Sequence, residues 1–509
     1  MRDLDKLEHF PILDKLSRII CEKTQNTDPL FFRVLVAYYF TKVASTMRTN
    51  IRTLDRGVIP VNMYAINTAN SGVGKGYSTN IIEEQVIDKF RDKFMEETFP
   101  YLVEQELPKL AVKRSNRKGS DPDEELIKVE KEFNALGKLP FSFDSGTSPA
   151  VKQMRHILLM SGAGSVNLEM DEFSNNLLGN TEVLNVFLEL YDQGKVKQKL
   201  TKNTNDSVRN EEIYGKTPTN MMLFGTPLKL LDGGKVEEEF MSMLGTGYAR
   251  RCFFGYSSPS NGVTKMSPEK VFEMMTDTSS NDWIKTLSRS LGNLADIINF
   301  NKVLTISKDV SILLIKYKQR CEILAEEFPD HKEVFKAELS HRYYKVLKLA
   351  GTFAFIDGNH EITKEYIYNA IKLAEESGKA FNTILKRERN YVKLAKYIAE
   401  ADVELTQADL IEDLPFYKGT EAAKREMMVL ATAYGYKNNI IIKKSYLDGI
   451  EFFEGESLKE TDLSKIKVSY STELSDNYKN ELVDFSQLHK LTQSNGFHWT
   501  VHHMSNKNE

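Results

Sequence analysis

A chain of 509 residues, 41% hydrophobic and 28% charged, is expected to divide into three or four domains of about 100–200 residues each. Its 68 lysines and arginines against 72 aspartates and glutamates leave a net charge of −4, which excludes a basic polymer-coating protein but allows local basic patches. Cys21, Cys252 and Cys321 are too dispersed for a disulfide framework, and no run approaches the roughly 18 apolar residues of a membrane span. The N-terminal stretch, Met-Arg-Asp-Leu-Asp-Lys, carries acids where a signal peptide needs basic and then apolar residues, so a cytoplasmic protein is expected.

Residues 1–55 read as a helical segment in which 31–46 are apolar nearly all round, the pattern of a helix buried against its neighbours. A turn at Leu54-Asp55-Arg56-Gly57 precedes a strand-compatible run at 58–68, then a glycine-rich loop, then a helical pattern from Tyr77. Residues 80–138 read as a helical hairpin inserted into the core, with 113–125 as a mobile polar loop at its tip. Strand-like runs resume at 139–143, 165–170, 221–224 and 251–256, with helical stretches at 148–160 and 181–191 between them. This alternation predicts a parallel α/β sheet over 56–258. A Ser/Pro/Asn-rich linker at 259–281 leads into helices, and 259–389 together form a linker and helical lid, with Thr363 capping its last helix. Three short helices and a hairpin over 390–455 have the pattern of a winged helix, and 456–509 form a polar tail.

The segment Ala69-Asn70-Ser71-Gly72-Val73-Gly74-Lys75 fits a phosphate-binding loop except at its ends. The glycines let backbone N–H groups turn inward around phosphate oxygens, Lys75 adds charge, and the following helix adds its dipole. Ala69 stands where glycine is usual. Gly76 stands where a Ser or Thr hydroxyl normally ligates Mg²⁺, so Ser78 or Thr79 is the nearest substitute, and Gly76, Tyr77 and Ser78 complete the expected nucleotide contacts. By itself the loop serves an ATPase or a nucleotide kinase equally.

Further along, a strand-like run ends in Met170-Asp171-Glu172. At the C-terminal edge of a parallel sheet, Asp171 is placed to hold the water shell of Mg²⁺ and Glu172 to polarise an attacking water. Glu169 shares the face of Asp171 by the period of a strand. Thr226, after the run at 221–224, stands where a γ-phosphate is sensed. Arg250 and Arg251 precede the last strand, placed to reach the phosphate of a neighbouring subunit. Lys195, Lys197, Lys199 and Lys202 recur along one loop with the spacing of an extended ribbon that tracks nucleic-acid phosphates.

The loop at 71–75, Asp144-Ser145-Gly146-Thr147-Ser148-Pro149, Met170-Asp171-Glu172-Phe173, Leu190-Tyr191-Asp192, Gly225-Thr226-Pro227 and Ala249-Arg250-Arg251-Cys252-Phe253 follow one another in a recognisable order. Over residues 30–385 the chain resembles phage and prophage P-loop ATPases, RecA-like or AAA+-like in core, found in replication helicases and primase-helicases. The resemblance implies a P-loop NTPase core with a helical segment after it, and with the patterns above the expected fold is multidomain α/β: a P-loop NTPase core with a parallel sheet, an inserted helical hairpin, a helical lid and a C-terminal winged-helix-like domain. It implies ATP hydrolysis with Mg²⁺, coupled to translocation on single-stranded or forked DNA by a homo-oligomeric ring in the host cytoplasm. By motif, Lys75 contacts phosphate, Asp171 organises Mg²⁺, Glu172 is the base, Thr226 the sensor and Arg250 or Arg251 the finger. Arg342 resembles the lid arginine of such enzymes. Residues 485–504 are similar to a segment that leads into phage primase domains, which implies a separate primase among its partners. The other function class is a nucleotide-switched initiator or helicase loader that binds DNA through the winged helix, where Lys418, Lys424, Arg425, Lys437, Lys443 and Lys444 lie, and hydrolyses ATP slowly. A nucleotide kinase is disfavoured by the paired acids and the helical appendages.

Overall fold

Asp28 opens the central helix of the fold: its carboxylate accepts from the Leu30 amide at 3.2 Å, and Pro29 takes the first helical position, where an N–H has no partner anyway. This helix, Pro29–Thr46, is buried on every face, because it packs on the central sheet and on the Pro11–Thr24, Arg342–Ile356 and Lys364–Leu385 helices. Its all-round apolar pattern therefore has a physical cause. In a computed structural model, the structure describes residues 3–26, 28–70, 72–173, 181–196, 215–231, 233–257, 267–386, 388–401 and 403–457. It is a mixed α/β fold with mostly helices, in two units that divide after Lys386. No helix among the described residues is long and apolar enough to cross a membrane.

In the first unit, β1 (Asn50–Thr53) and β2 (Gly57–Pro60) pair antiparallel, so the single run expected at 58–68 is divided. The second half of that run is β3 (Tyr64–Ala69), which joins β4 (Val166–Met170), β5 (Thr219–Gly225) and β6 (Cys252–Ser257) in an all-parallel sheet of order β4-β5-β3-β6. Tyr64 stands between Met221 of β5 and Cys252 of β6, and Leu168 opposite Met221. Helices on both faces bury these strands, hence their nearly unbroken apolar sequence. β7 (Val303–Ile306) and β8 (Glu361–Ile362) extend the first pair into a second sheet, β2-β1-β7-β8.

Residues 139–143 do not form the expected strand. Phe143 alone bridges to Leu168, while Pro140 interrupts the run and the Asn167 side-chain amide takes the Phe141 carbonyl at 2.7 Å. The hairpin tip is also shorter than its charge pattern suggests. The Phe99–Lys118 helix runs on to a left-handed Gly119, and Asp121 caps Pro122–Ala135 through the Asp123 and Glu124 amides at 2.9 and 3.2 Å. The switch from basic to acidic pairs the two antiparallel helices: Arg114 meets Glu132 at 2.6 Å and Lys118 meets Glu125 at 2.8 Å. Part of the expected linker is helical as well. Ser267 caps Pro268–Thr276, and Asp277 caps Thr278–Leu294, which packs on the Asp88–Lys93 helix.

The segments expected as 1–55, 56–258 and 259–389 share one hydrophobic core from Leu7 to Ile384. Each fully buried Leu, Ile, Val or Phe contributes roughly 1.5–3 kcal/mol. A core continuous across the three segments makes each of them depend on the others. Thr363 caps Lys364–Leu385 as expected, accepting from the Tyr366 amide at 3.5 Å.

The second unit has its own core of Leu394, Ile398, Leu410, Tyr417 and Phe453. Its order is helix Asn390–Glu400, strand β9 (Leu405–Thr406), helices Gln407–Asp413 and Glu421–Lys437, then the antiparallel hairpin β10 (Ile440–Leu447) and β11 (Ile450–Ser457), with β11 also pairing β9. Asp448 and Gly449 close the hairpin with φ of 50° and 81°, as a two-residue turn requires. The tail at 458–509 lies outside the described residues.

Candidate active site

Parallel strands end on one edge, and there the fold gathers its chemistry. β3 runs into Asn70, β4 into Asp171 and Glu172, and β5 into Thr226. Because β5 lies between β3 and β4, Thr226 falls between the glycine loop and the two acids. Together they line a cleft of about 280 Å³ that includes Asn70, Gly72, Val73, Gly74, Lys75 and Gly76. Ser71 lies outside the described residues.

Gly72 and Gly74 hold φ of 91° and 87°, the left-handed region that lets successive amides turn to one side. A Cβ on Gly74 would stand 2.8 Å from the Thr24 methyl, so glycine is also required there by space. The following helix, Lys75–Ile81, starts with the Ser78 amide bonding the Gly74 carbonyl at 2.8 Å. Its first residue reaches across the cleft: Lys75 Nζ donates to the Asp171 carbonyl at 2.6 Å, lies 3.8 Å from Asp171 Oδ1 and stands 5.1 Å over the Phe224 ring. The Asp171 side chain is 79% exposed, so this pair is weak and free to rearrange around a ligand.

Glu172 lies 3.6 Å from Lys229, a cation that the sequence reading overlooked. The signal was present, since Lys229 follows Thr226 by three residues and the short Pro227–Leu230 helix brings it back over the strand end. The Thr226 side chain makes no cap bond to that helix.

Other expectations meet a different arrangement. Ser78 does not line the cleft: it is fully buried, and its hydroxyl donates to the Lys75 carbonyl at 2.8 Å, which turns it away from any cation in the loop. Tyr77 is 49% exposed and also stands outside the lining. Glu169 belongs to a network behind the site. Lys42 Nζ lies 2.6 Å from it and the Tyr38 hydroxyl 3.0 Å, while burial, with Glu169 close by, raises the pKa of Glu83.

Arg250 and Arg251 precede β6, at the sheet edge opposite the cleft, roughly 20 Å away for six residues at about 3.3 Å each. Arg251 is bound within its own chain, donating to Asp192 at 3.1 Å and to the Gly247 carbonyl at 3.2 Å. Burial of the His341 ring lowers its pKa, and the half-buried Arg250 nearby lowers it further. The lid-arginine expectation does not hold for Arg342, which is buried between Glu338 at 2.7 Å and Glu375 at 3.1 Å.

Of the loop lysines, Lys195 is exposed, and Lys197, Lys199 and Lys202 lie outside the described residues. In the second unit, Lys424 pairs with Glu421, Lys443 with Glu454 and Glu456, and Lys444 with Glu451, which leaves Lys418, Arg425 and Lys437 as exposed cations.

One loop amine and two carboxylates in one cleft suit a polyanion only when a divalent cation accompanies it, since the acids alone repel phosphate. Among the described residues no cluster of three or more His, Cys, Asp or Glu side chains could hold a metal by itself. Mg²⁺ fits such a place, because it keeps its waters and takes one or two carboxylates plus phosphate oxygens. Compared with known proteins, the chain matches no family model, and no curated protein matches it.

Proposed function

We propose that the protein is an ATP-dependent DNA motor, a replicative helicase that translocates on single-stranded DNA and binds ATP with Mg²⁺ in the Lys75 cleft. The observation that carries the nucleotide reading is the convergence of Lys75, Asp171, Glu172 and Thr226 on one edge of a parallel sheet. When bound, Mg²⁺ would supply charge neutralisation to the phosphates. The amides of residues 72–76 and the Lys75 ammonium hold the phosphates, and Asp171 orients the hydrated cation. Glu172 takes a proton from the attacking water as its oxygen bonds to the γ-phosphorus and the bond to the β–γ bridging oxygen breaks. Thr226 hydrogen-bonds the γ-phosphate and reports its departure. The DNA half of the proposal rests on the resemblance and on the basic loop at 195–202.

One observation favours a second reading. Gly76 has no hydroxyl and that of Ser78 is used internally, so the cation lacks a common protein ligand. This suits a slow, nucleotide-switched initiator whose second unit, read as a winged helix, binds the DNA.

The test is ATP hydrolysis with and without single-stranded DNA, and strand separation on a forked duplex, for the wild type, Lys75→Ala and Glu172→Gln. DNA-stimulated hydrolysis lost in both variants is expected. Duplex binding without stimulation points to the initiator, and no hydrolysis under any condition refutes the motor.

A further inference from the structure

At the opposite edge of the sheet, where β5 begins, lies a second cleft of about 370 Å³ bounded by Arg48, Asn50, Lys216, Gly162, Phe300 and Asn301. Arg48 follows the central helix and is 8% exposed. Its two terminal nitrogens donate to main-chain carbonyls only: Lys216 at 2.5 Å, Leu158 at 2.8 Å and Ala163 at 2.9 Å. No carboxylate compensates it, and its Nε has no hydrogen-bond partner among the described residues. The buried guanidinium therefore keeps an uncompensated positive charge beside the cleft.

The surroundings add charge of the same sign. Lys216 lies in the cleft and spends one of its three donors on the Val58 carbonyl at 2.5 Å. Burial, and then Lys195 nearby, lower the Lys216 pKa, and burial, with Arg155 nearby, brings Arg48 down to about 9. The carboxylate in the cleft, Glu106, is paired with Lys109 at 2.7 Å. Two lining residues, Arg48 and Asn301, hold left-handed backbone with φ of 57° and 54°, a conformation that non-glycine residues keep only where the surroundings impose it. The Asn50 side-chain amide ties them, donating to the Arg48 carbonyl at 2.6 Å and to Asn301 Oδ1 at 3.2 Å.

We infer that this cleft, bounded by Arg48, Lys216 and Asn301, is a phosphate-binding site separate from the Lys75 cleft. Phosphate is the shared chemistry of a nucleic-acid backbone and of the free inorganic ion. The backbone source rests on the DNA-motor reading and would place a strand beside Lys195. The phosphate chemistry itself does not depend on that reading.

The full chain is tested as Lys216→Gln and Arg48→Gln, each in a Lys75→Ala background so that the first cleft does not compete. One arm measures a fluorescein-labelled oligothymidylate by anisotropy over a salt series, and the other measures inorganic phosphate by titration calorimetry. For a lost backbone contact, binding weakens about fivefold near 0.1 M salt and the salt slope falls by about 0.7. If the parent binds phosphate but no oligonucleotide, and Lys216→Gln loses the phosphate, the site stands with the free ion as its source and the DNA reading fails. The inference is overturned if Lys216→Gln binds both probes like its parent, or if the parent binds neither. Should Arg48→Gln fail to fold, Lys216→Gln decides alone.

Discussion

Replacing Glu338 by glutamine is expected to unlock the core of the first unit. Glu338 accepts from Arg342 at 2.7 Å and from Lys345 at 2.9 Å, and all three side chains are at most 8% exposed. Lys345 also donates to the carbonyl of Cys252 at 2.8 Å, so the network ties the C-terminal helices to the first residue of β6. Burial pushes the Glu338 carboxyl up, but Arg342 and Lys345 outweigh it and hold its pKa at about 2, against an ordinary 4.5. At about 1.36 kcal/mol per pH unit, that difference corresponds to about 3 kcal/mol of stability at neutral pH. The cost of breaking a buried ion pair from one side, about 3–5 kcal/mol, agrees. Since the folded value lies below the unfolded one, this stability is complete above 4.5 and is lost as pH falls through 2. Urea unfolding followed by far-ultraviolet circular dichroism should show Glu338→Gln weaker by about 3 kcal/mol at neutral pH, with the gap shrinking steadily in acid. A loss below about 1 kcal/mol, or a gap independent of pH, refutes the reasoning, since that is the worth of an exposed pair.

Gly76→Ser should fold normally, because a Cβ there meets nothing within 4 Å, and should tighten Mg²⁺-dependent ATP binding about tenfold, read with a fluorescent analogue. An unchanged affinity means that the cation does not approach this position. Gly74→Ala combines a φ of 87° with a Cβ 2.8 Å from the Thr24 methyl, so the loop should deform and lose ATP affinity about tenfold or more at a strain of 1–2 kcal/mol. Arg251→Ala should act mainly on thermal stability by removing the Asp192 contact, whereas Arg250→Ala should leave stability alone and lower turnover of the assembled enzyme about a hundredfold or more. If both variants turn over like the wild type, neither arginine serves a shared site.

The glycine loop, the two acids and Thr226 were legible because each rests on local chemistry. Positive φ favours glycine, and an apolar run that stops at a charged residue marks a strand end. The burial of Pro29–Thr46 was legible for the same reason, from a pattern written on consecutive turns. Ser78 was misread because spacing gives sequence distance from Lys75 but not the rotation of a helix, and that rotation sends its hydroxyl back to a carbonyl. The loop expected at 113–125 failed in an instructive way. A basic run followed by an acidic one reads as solvated chain until the two helices lie antiparallel and the charges pair.

The sequence alone thus determined the kinds of groups present, the strand-loop-helix order and a near-zero net charge that says nothing of where charges gather. Only the tertiary structure decided which of them meet. Strand order sets Thr226 between Lys75 and the acids, two carboxylates claim Arg342, and three carbonyls gather around Arg48 at the far edge. Apart from Glu338, four residues before Arg342, those partners are separated by tens to hundreds of residues. Their meeting follows from burying one shared core, which no local pattern encodes.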